Sequence, residues 1–171
     1  MNKTKSNLEV LYFYGHTDKL GDRKCLSNWY PCQFTDKTGF TFSNSEQFMM
    51  YHKALLFDDF NKAEEILNTP DPKKVKKKGR EVKNFDQKIW NNNAKDIVYE
   101  GCLLKFSQND DIKHFLLSTG NKIIAEASPY DKIWGIGISV SDAEKGKEWK
   151  GTNWLGECLM KVRDTIRNTK N

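Results

Sequence analysis

The sequence predicts an α+β fold, a helix-dominated single domain with a few short strands. Three observations carry this expectation. Apolar residues recur at helical spacing over much of the chain beyond Ser43, strand-like runs are short and scattered, and no repeat, low-complexity tract or linker divides the 171 residues. A chain of this length buries roughly two-thirds of its unfolded surface, enough for one self-supporting core. Residues 1–171 are therefore expected to form one domain.

In chain order, the polar residues from Met1 to Asn7 contain no apolar signal region, and Leu8-Glu-Val-Leu-Tyr-Phe-Tyr14, ending at Gly15, predicts a buried strand. Gly21, Asn28 and Pro31 among charges mark a loop, after which Gln33 to Phe42, centred on Lys37-Thr-Gly39, predicts a hairpin. Phe48, Met49, Ala54, Leu55, Leu56 and Phe57 suit a helix from Ser43 to Phe57, with Ser43-Asn-Ser-Glu46 as its capping box. The next helix begins at Asp58 or Asp59 and places Phe60, Ala63 and Leu67 on one stripe. Pro70-Asp71-Pro72 ends it, because proline has no amide to continue the ladder, and opens the helix that follows.

The strongest periodic signal runs from Phe85 to Phe106, where Trp90, Ala94, Ile97, Val98 and Leu104 predict the central helix. A shorter helix after Asp110 and Asp111 packs Ile112, Phe115 and Leu116 and stops at Gly120, and Lys122 to Glu126 predicts a strand. Pro129, Gly135 and Gly137 forbid a regular helix between Ser128 and Gly137, so this stretch is a loop. The acidic segment up to Trp149 reads as a lid without a catalytic role. A last helix from Asn153 to Arg167 turns Leu155, Leu159, Val162 and Ile166 inward.

Composition bounds the function. Hydrophobic content of 37% against 30% charged residues is that of a globular protein and excludes disordered and collagen-like classes. No apolar stretch approaches the roughly 20 residues that span a bilayer, so a cytoplasmic protein without a membrane partner is expected. Cys25, Cys32, Cys102 and Cys158 form no C-x-x-C pair, so reduced thiols, no metal and no cofactor are expected. The net charge of +5 favours anionic partners without alone making a nucleic-acid binder. Seven basic residues between Lys73 and Lys83 face one acid, Glu81. The run is either a solvated face or, beside Gly79, a phosphate contact that also permits transient nucleic-acid contact.

At about 100° per residue, Glu46 and Lys53 are nearly eclipsed on one helix, with Met50 between them. Glu46 sits at the positive helix end, either as a cap on the Ser43 amide or as a carboxylate base. Lys53 is either solvated surface or a reactive amine, and Trp90 either core or a stacking platform. Trp134, between Asp131 and Gly135, lies where glycine lets backbone approach a ligand. Asn153 is a helix cap or, with Gly156, presents free amides to a phosphate.

These residues carry a resemblance. Phe13-Tyr-Gly15, Cys25-Leu-Ser-Asn-Trp-Tyr-Pro31, Ser45-Glu-Gln-Phe48 with Lys53-Ala54, and Gly79-Arg80 followed by Trp90 appear in that order. Lys105-Phe106, Leu116-Leu-Ser-Thr-Gly120, Glu126-Ala-Ser-Pro-Tyr-Asp-Lys-Ile-Trp-Gly-Ile-Gly137 and Trp149-Lys-Gly-Thr-Asn-Trp-Leu-Gly156 continue it. Over nearly the whole chain it resembles the NADAR, or YbiA-like, family. The resemblance implies an α+β fold and an N-glycosidase that cleaves ribose C1 from an exocyclic amine. Its substrate would be a ribosylamino-pyrimidine phosphate of riboflavin biosynthesis or ADP-ribose on guanine. It implies activity at Glu46, Asp131, Trp90 and Trp134 and an imine-forming Lys53. Asn28, Arg80, Gly135 and Asn153 complete the expected substrate contacts. A non-catalytic ADP-ribose-binding module would keep the tryptophans and basic residues without needing Glu46, and the presence of Glu46 with Asp131 argues for the enzyme.

Overall fold

Side-chain chemistry at the helix ends sets the layout of residues 8–169, which the computed structural model describes. The polar leader read over residues 1–7 lies outside them. Strand β1 (Val10–Phe13) pairs in parallel with β4 (Ile123–Glu126), Val10 opposite Ile123 and Phe13 opposite Glu126. Parallel strands need a long crossover, and most of the helices lie within it. Strands β2 (Phe34–Thr35) and β3 (Thr41–Phe42) form the expected hairpin. A 3-10 segment, Asp18–Leu26, occupies part of the stretch expected as loop and breaks at Gly21, whose φ is 56°.

Helix α1 (Ser45–Leu56) starts one residue later than the capping-box expectation. Asn44, not Ser43, is its N-cap: the Asn44 side chain accepts from the Gln47 amide at 2.8 Å, and Gln47 Oε1 accepts from the Ser43 amide at 2.7 Å. Ser43 and Asn44 are both capping types, and Gln47, at the third helical position, completes the motif with the second. Glu46 is thereby released from capping and buried. Gln47 Nε2 also donates to the carbonyls of Ile66, Leu67 and Thr69, tying α1 to the end of α2 (Phe60–Leu67). Helix α2, capped by Asp59, buries Ala63 and Ile66. Its buried stripe is rotated from the expected one, and Phe60, at the first helical position, stands 63% exposed.

Helix α3 (Pro72–Arg80) has Asp71 as cap and Pro72 at its start, and packs on α1 where a Cβ at Gly79 would lie 2.0 Å from Met50 Sδ. Helix α4 (Gln87–Ser107) packs against both α1 and α7 (Trp154–Asn168), and α5 (Asp110–Ser118) ends at Gly120, φ 60°. The main core gathers Phe34, Phe42, Phe48, Phe106, Leu155 and Leu159. A smaller cluster of Ala125, Ile136, Ile138 and Ala143 holds α6 (Val140–Glu144) in place, so the segment read as a lid contains a packed helix. Among the described residues no helix is long and apolar enough to cross a membrane.

Candidate active site

The start of α1, the end of α3, the first turn of α4 and the loops after β1 and β4 enclose a cleft of about 870 Å³. Glu46 enters it from the second position of α1, anchored by its amide, which donates to the Asn28 carbonyl at 2.9 Å. The residue is 6% exposed. Burial pushes its carboxyl up to about 7; the Asp131 charge adds to the rise, while Lys76, Lys53 and Arg80 oppose it. A carboxyl in that range both takes and releases protons near neutrality.

Lys53, two turns further along α1, lies on the same wall with Met50 between them. Its Nζ donates to the Gly79 carbonyl at 2.8 Å and sits 4.6 Å from the Phe85 ring centre and 5.6 Å from that of Trp90. Burial lowers its amine below the ordinary lysine range, Glu46 opposes that shift and Arg80 assists it. A larger unprotonated fraction makes the amine a better nucleophile.

Glu126, the last residue of β4, also lines the cleft. Burial pushes its carboxyl up to about 7, with the charges of Asp131 and Glu46 adding to the rise and Lys76 opposing it. Asp131 Oδ1 accepts from the amides of Ile133 and Trp134, both at 2.9 Å, so this side chain fixes the loop that presents Trp134. Trp134 in turn packs edge-on against Trp154 at 5.6 Å. On α3, Lys76 and Arg80 are one turn apart and both face the cleft, whereas Lys78 of the same run pairs with Glu65 at 3.2 Å. Tyr14, Tyr130 and the neighbouring rings of His16 and Trp29 add an aromatic rim.

The cleft thus brings together Glu46, Lys53, Asp131, Asn28, Arg80, Trp90 and Trp134 of the residues expected from sequence. Asn28 Oδ1 is buried there without a hydrogen-bond partner. Gly135 and Asn153 lie outside the lining. A Cβ at Gly135 would meet the Asp131 and Glu126 carbonyls at 2.8 and 2.9 Å, so glycine serves loop packing there. Asn153 adopts a left-handed conformation, φ 54°, donates from Nδ2 to the Ile124 carbonyl at 2.9 Å and accepts from the Glu126 amide at 3.1 Å. It stands at the N-cap position of α7 without a side-chain cap bond, and both ends of its side chain are engaged by β4. At the start of α7 the amides of Asn153, Trp154 and Leu155 are used, donating to the carbonyls of Gly135, Ile133 and Trp134. Sequence reasoning passed over Glu126 and did not single out Lys76 within the basic run read as a solvated face or a phosphate contact. The signal for Glu126 was an acid closing an apolar strand, a position that leaves its side chain half-buried.

The NADAR domain model matches residues 12–167. A protein named N-glycosidase R617, from Acanthamoeba polyphaga mimivirus, is 44% identical over 91% of this chain and 95% of its own length. Protein irg-1 of Caenorhabditis elegans is 41% identical over 82% of this chain and 74% of its own. A riboflavin biosynthesis protein of Vibrio vulnificus is 30% identical over 95% of this chain, which spans 41% of that protein. The NMR structure of Escherichia coli YbiA matches with a TM-score of 0.76 and 24% identity, covering 95% of this chain and 90% of that one, which is a likeness of fold.

Proposed function

From the chain's membership of the NADAR family, to which it belongs, and from the chemistry of its cleft, we propose that it is an N-glycosidase hydrolysing the bond between ribose C1 and an exocyclic amine. The observation that carries this reading is one helix face presenting a carboxyl near 7 and an amine with a lowered proton affinity to the same cleft. A ribosyl arylamine opens to a protonated imine at C1 as its ring oxygen leaves C1 with the bond pair and takes up a proton. The Lys53 amine adds to C1, and Glu46 accepts the proton that this nitrogen sheds. The bond from C1 to the base then breaks, its electron pair leaves on the amine nitrogen, and that nitrogen takes up one proton. Water hydrolyses the remaining imine, releasing the sugar and restoring the lysine. Asp131, held by two backbone amides, orients Trp134 for stacking on the base, with Trp90 as a second apolar surface. Asn28 Oδ1 accepts from a ribose hydroxyl, and Arg80 with Lys76 takes the phosphate.

A volume of about 870 Å³ is large within the usual range of ligand sites, about 300–1,000 Å³, and supports ADP-ribose on guanine as well as the smaller ribosylamino-pyrimidine phosphate. The exposed Lys73, Lys74 and Lys77 beside the cleft support transient contact with nucleic acid carrying such a guanine. Free thiols at Cys25, Cys32, Cys102 and Cys158 support a cytoplasmic setting. Incubation with each substrate class separately should release base and sugar from at least one, and borohydride added during turnover should leave a stable adduct on Lys53. Release without an adduct would favour direct displacement by water. Release from neither would refute the reading.

A further inference from the structure

Glu126 is held from behind as firmly as Glu46 is from its helix. Its amide donates to Asn153 Oδ1 at 3.1 Å, its carbonyl accepts from the Ile136 amide at 2.8 Å, and its strand is paired residue for residue with β1. Asn153 makes its bonds from a left-handed conformation, and at Gly156 a Cβ would lie 2.1 Å from the Ile124 carbonyl, so α7 is seated directly on the back of β4. Asn153 is therefore a positioning residue for Glu126.

The charges around the two glutamates differ. Lys53 from α1 and Arg80 from α3 favour a charge on Glu46, Lys76 favours one on both, and Asp131 disfavours both; His16 and Lys19 also face the cleft from the segment after β1. Each glutamate disfavours ionisation of the other. Two carboxyls lining one cleft, Glu46 buried and Glu126 half-buried, do not readily ionise together, so near neutrality the pair retains a proton. Lys53, on the same wall of the cleft as Glu46, and Arg80 favour a charge on Glu46 and not on Glu126, which places the charge on Glu46 and the proton on Glu126.

We propose that Glu126 is the proton donor to the departing amine, with Glu46 as its ionised partner. This rests on the N-glycosidase reading. As the bond from C1 to nitrogen breaks, its electron pair stays on nitrogen and the Glu126 proton moves to that nitrogen. The water that then adds at C1 gives up a proton to the carboxylate pair, which restores the starting state.

A series of ribosyl arylamine 5′-phosphates with increasingly electron-withdrawing rings tests the assignment. Wild type should depend weakly on the leaving amine. Glu126→Gln should lose at least about a hundredfold in rate on the most basic leaving amine, and at least about tenfold less than that on the least basic one, which departs with little help. In substrate-free protein, carbon NMR of the glutamate carboxyls should show Glu126 titrating at higher pH than Glu46, and at lower pH in Glu46→Gln than in wild type, because the neighbouring negative charge is then gone. Uniform loss across the series, as a merely structural role would give, overturns the assignment. Undiminished activity, or Glu126 titrating below Glu46, does so too. Wild type inert on the entire series would instead overturn the N-glycosidase reading, and the proton-donor role with it.

Discussion

The proposed chemistry converges on Glu46 because, among the described residues, no hydrogen bond engages its side chain. Its amide is used by Asn28, its capping role is taken by Asn44 and Gln47, and its carboxyl is left in the cleft with a proton affinity near 7. Glutamine keeps its volume but neither accepts a proton nor carries a charge. Glu46→Gln should therefore lower base release at pH 7 by at least about a hundredfold, the usual scale of general acid-base catalysis. Steady-state assay of purified protein checks this, and wild-type turnover by the variant would move the base to another carboxylate. The profile of wild type should also fall on the acid side as Glu46 takes up its proton, through pH values about 7 and below.

At the scale of elements, the helices other than the short α6 were legible because each has a period and a stop signal. Pro72 at the start of α3, Asp86 before α4 and Gly120 after α5 sit where local chemistry puts them. What was not legible is phase and tertiary use. Two adjacent capping residues made the start of α1 ambiguous by one position, and the buried stripe of α2 turned on which residues meet α1, a fact no single helix records. The basic run on α3 shows the same limit: its charge was plain, but only packing sorts Lys76 and Arg80 into the cleft and Lys78 onto Glu65. That sorting gives a test. If α3 supplies the phosphate contact, Arg80→Ala should raise KM for a phosphorylated substrate by about tenfold or more, the loss of one charge-assisted contact, and leave KM for its dephosphorylated form nearly unchanged. Equal effects on both substrates would make Arg80 structural.

For the molecule as a whole, the cleft sets activity against stability. An ordinary glutamate titrates near 4.5, and Glu46 in the fold near 7. Between those values the folded chain holds a proton that the unfolded chain has released, so folding binds protons there and stability falls as pH rises through the interval. Full stabilisation is present below about 4.5 and is lost by the time the folded carboxyl ionises near 7. At 1.36 kcal/mol per unit this is on the order of 3 kcal/mol for an isolated group, and the coupling to Glu126 spreads it over both carboxyls. Glutamine resembles the protonated carboxyl at every pH. Glu46→Gln should accordingly melt close to wild type near pH 4.5 and several degrees above it at pH 8, given about 2–4 °C per kcal/mol at this chain length. A capping role would predict the reverse, a small loss at both pH values. Melting curves of the two proteins across this range decide it: a variant no more stable than wild type at pH 8 would mean that the buried charge is already compensated in the fold, whereas the predicted gain, in a protein that has lost its turnover, would show the carboxylate being held for chemistry at the expense of the fold.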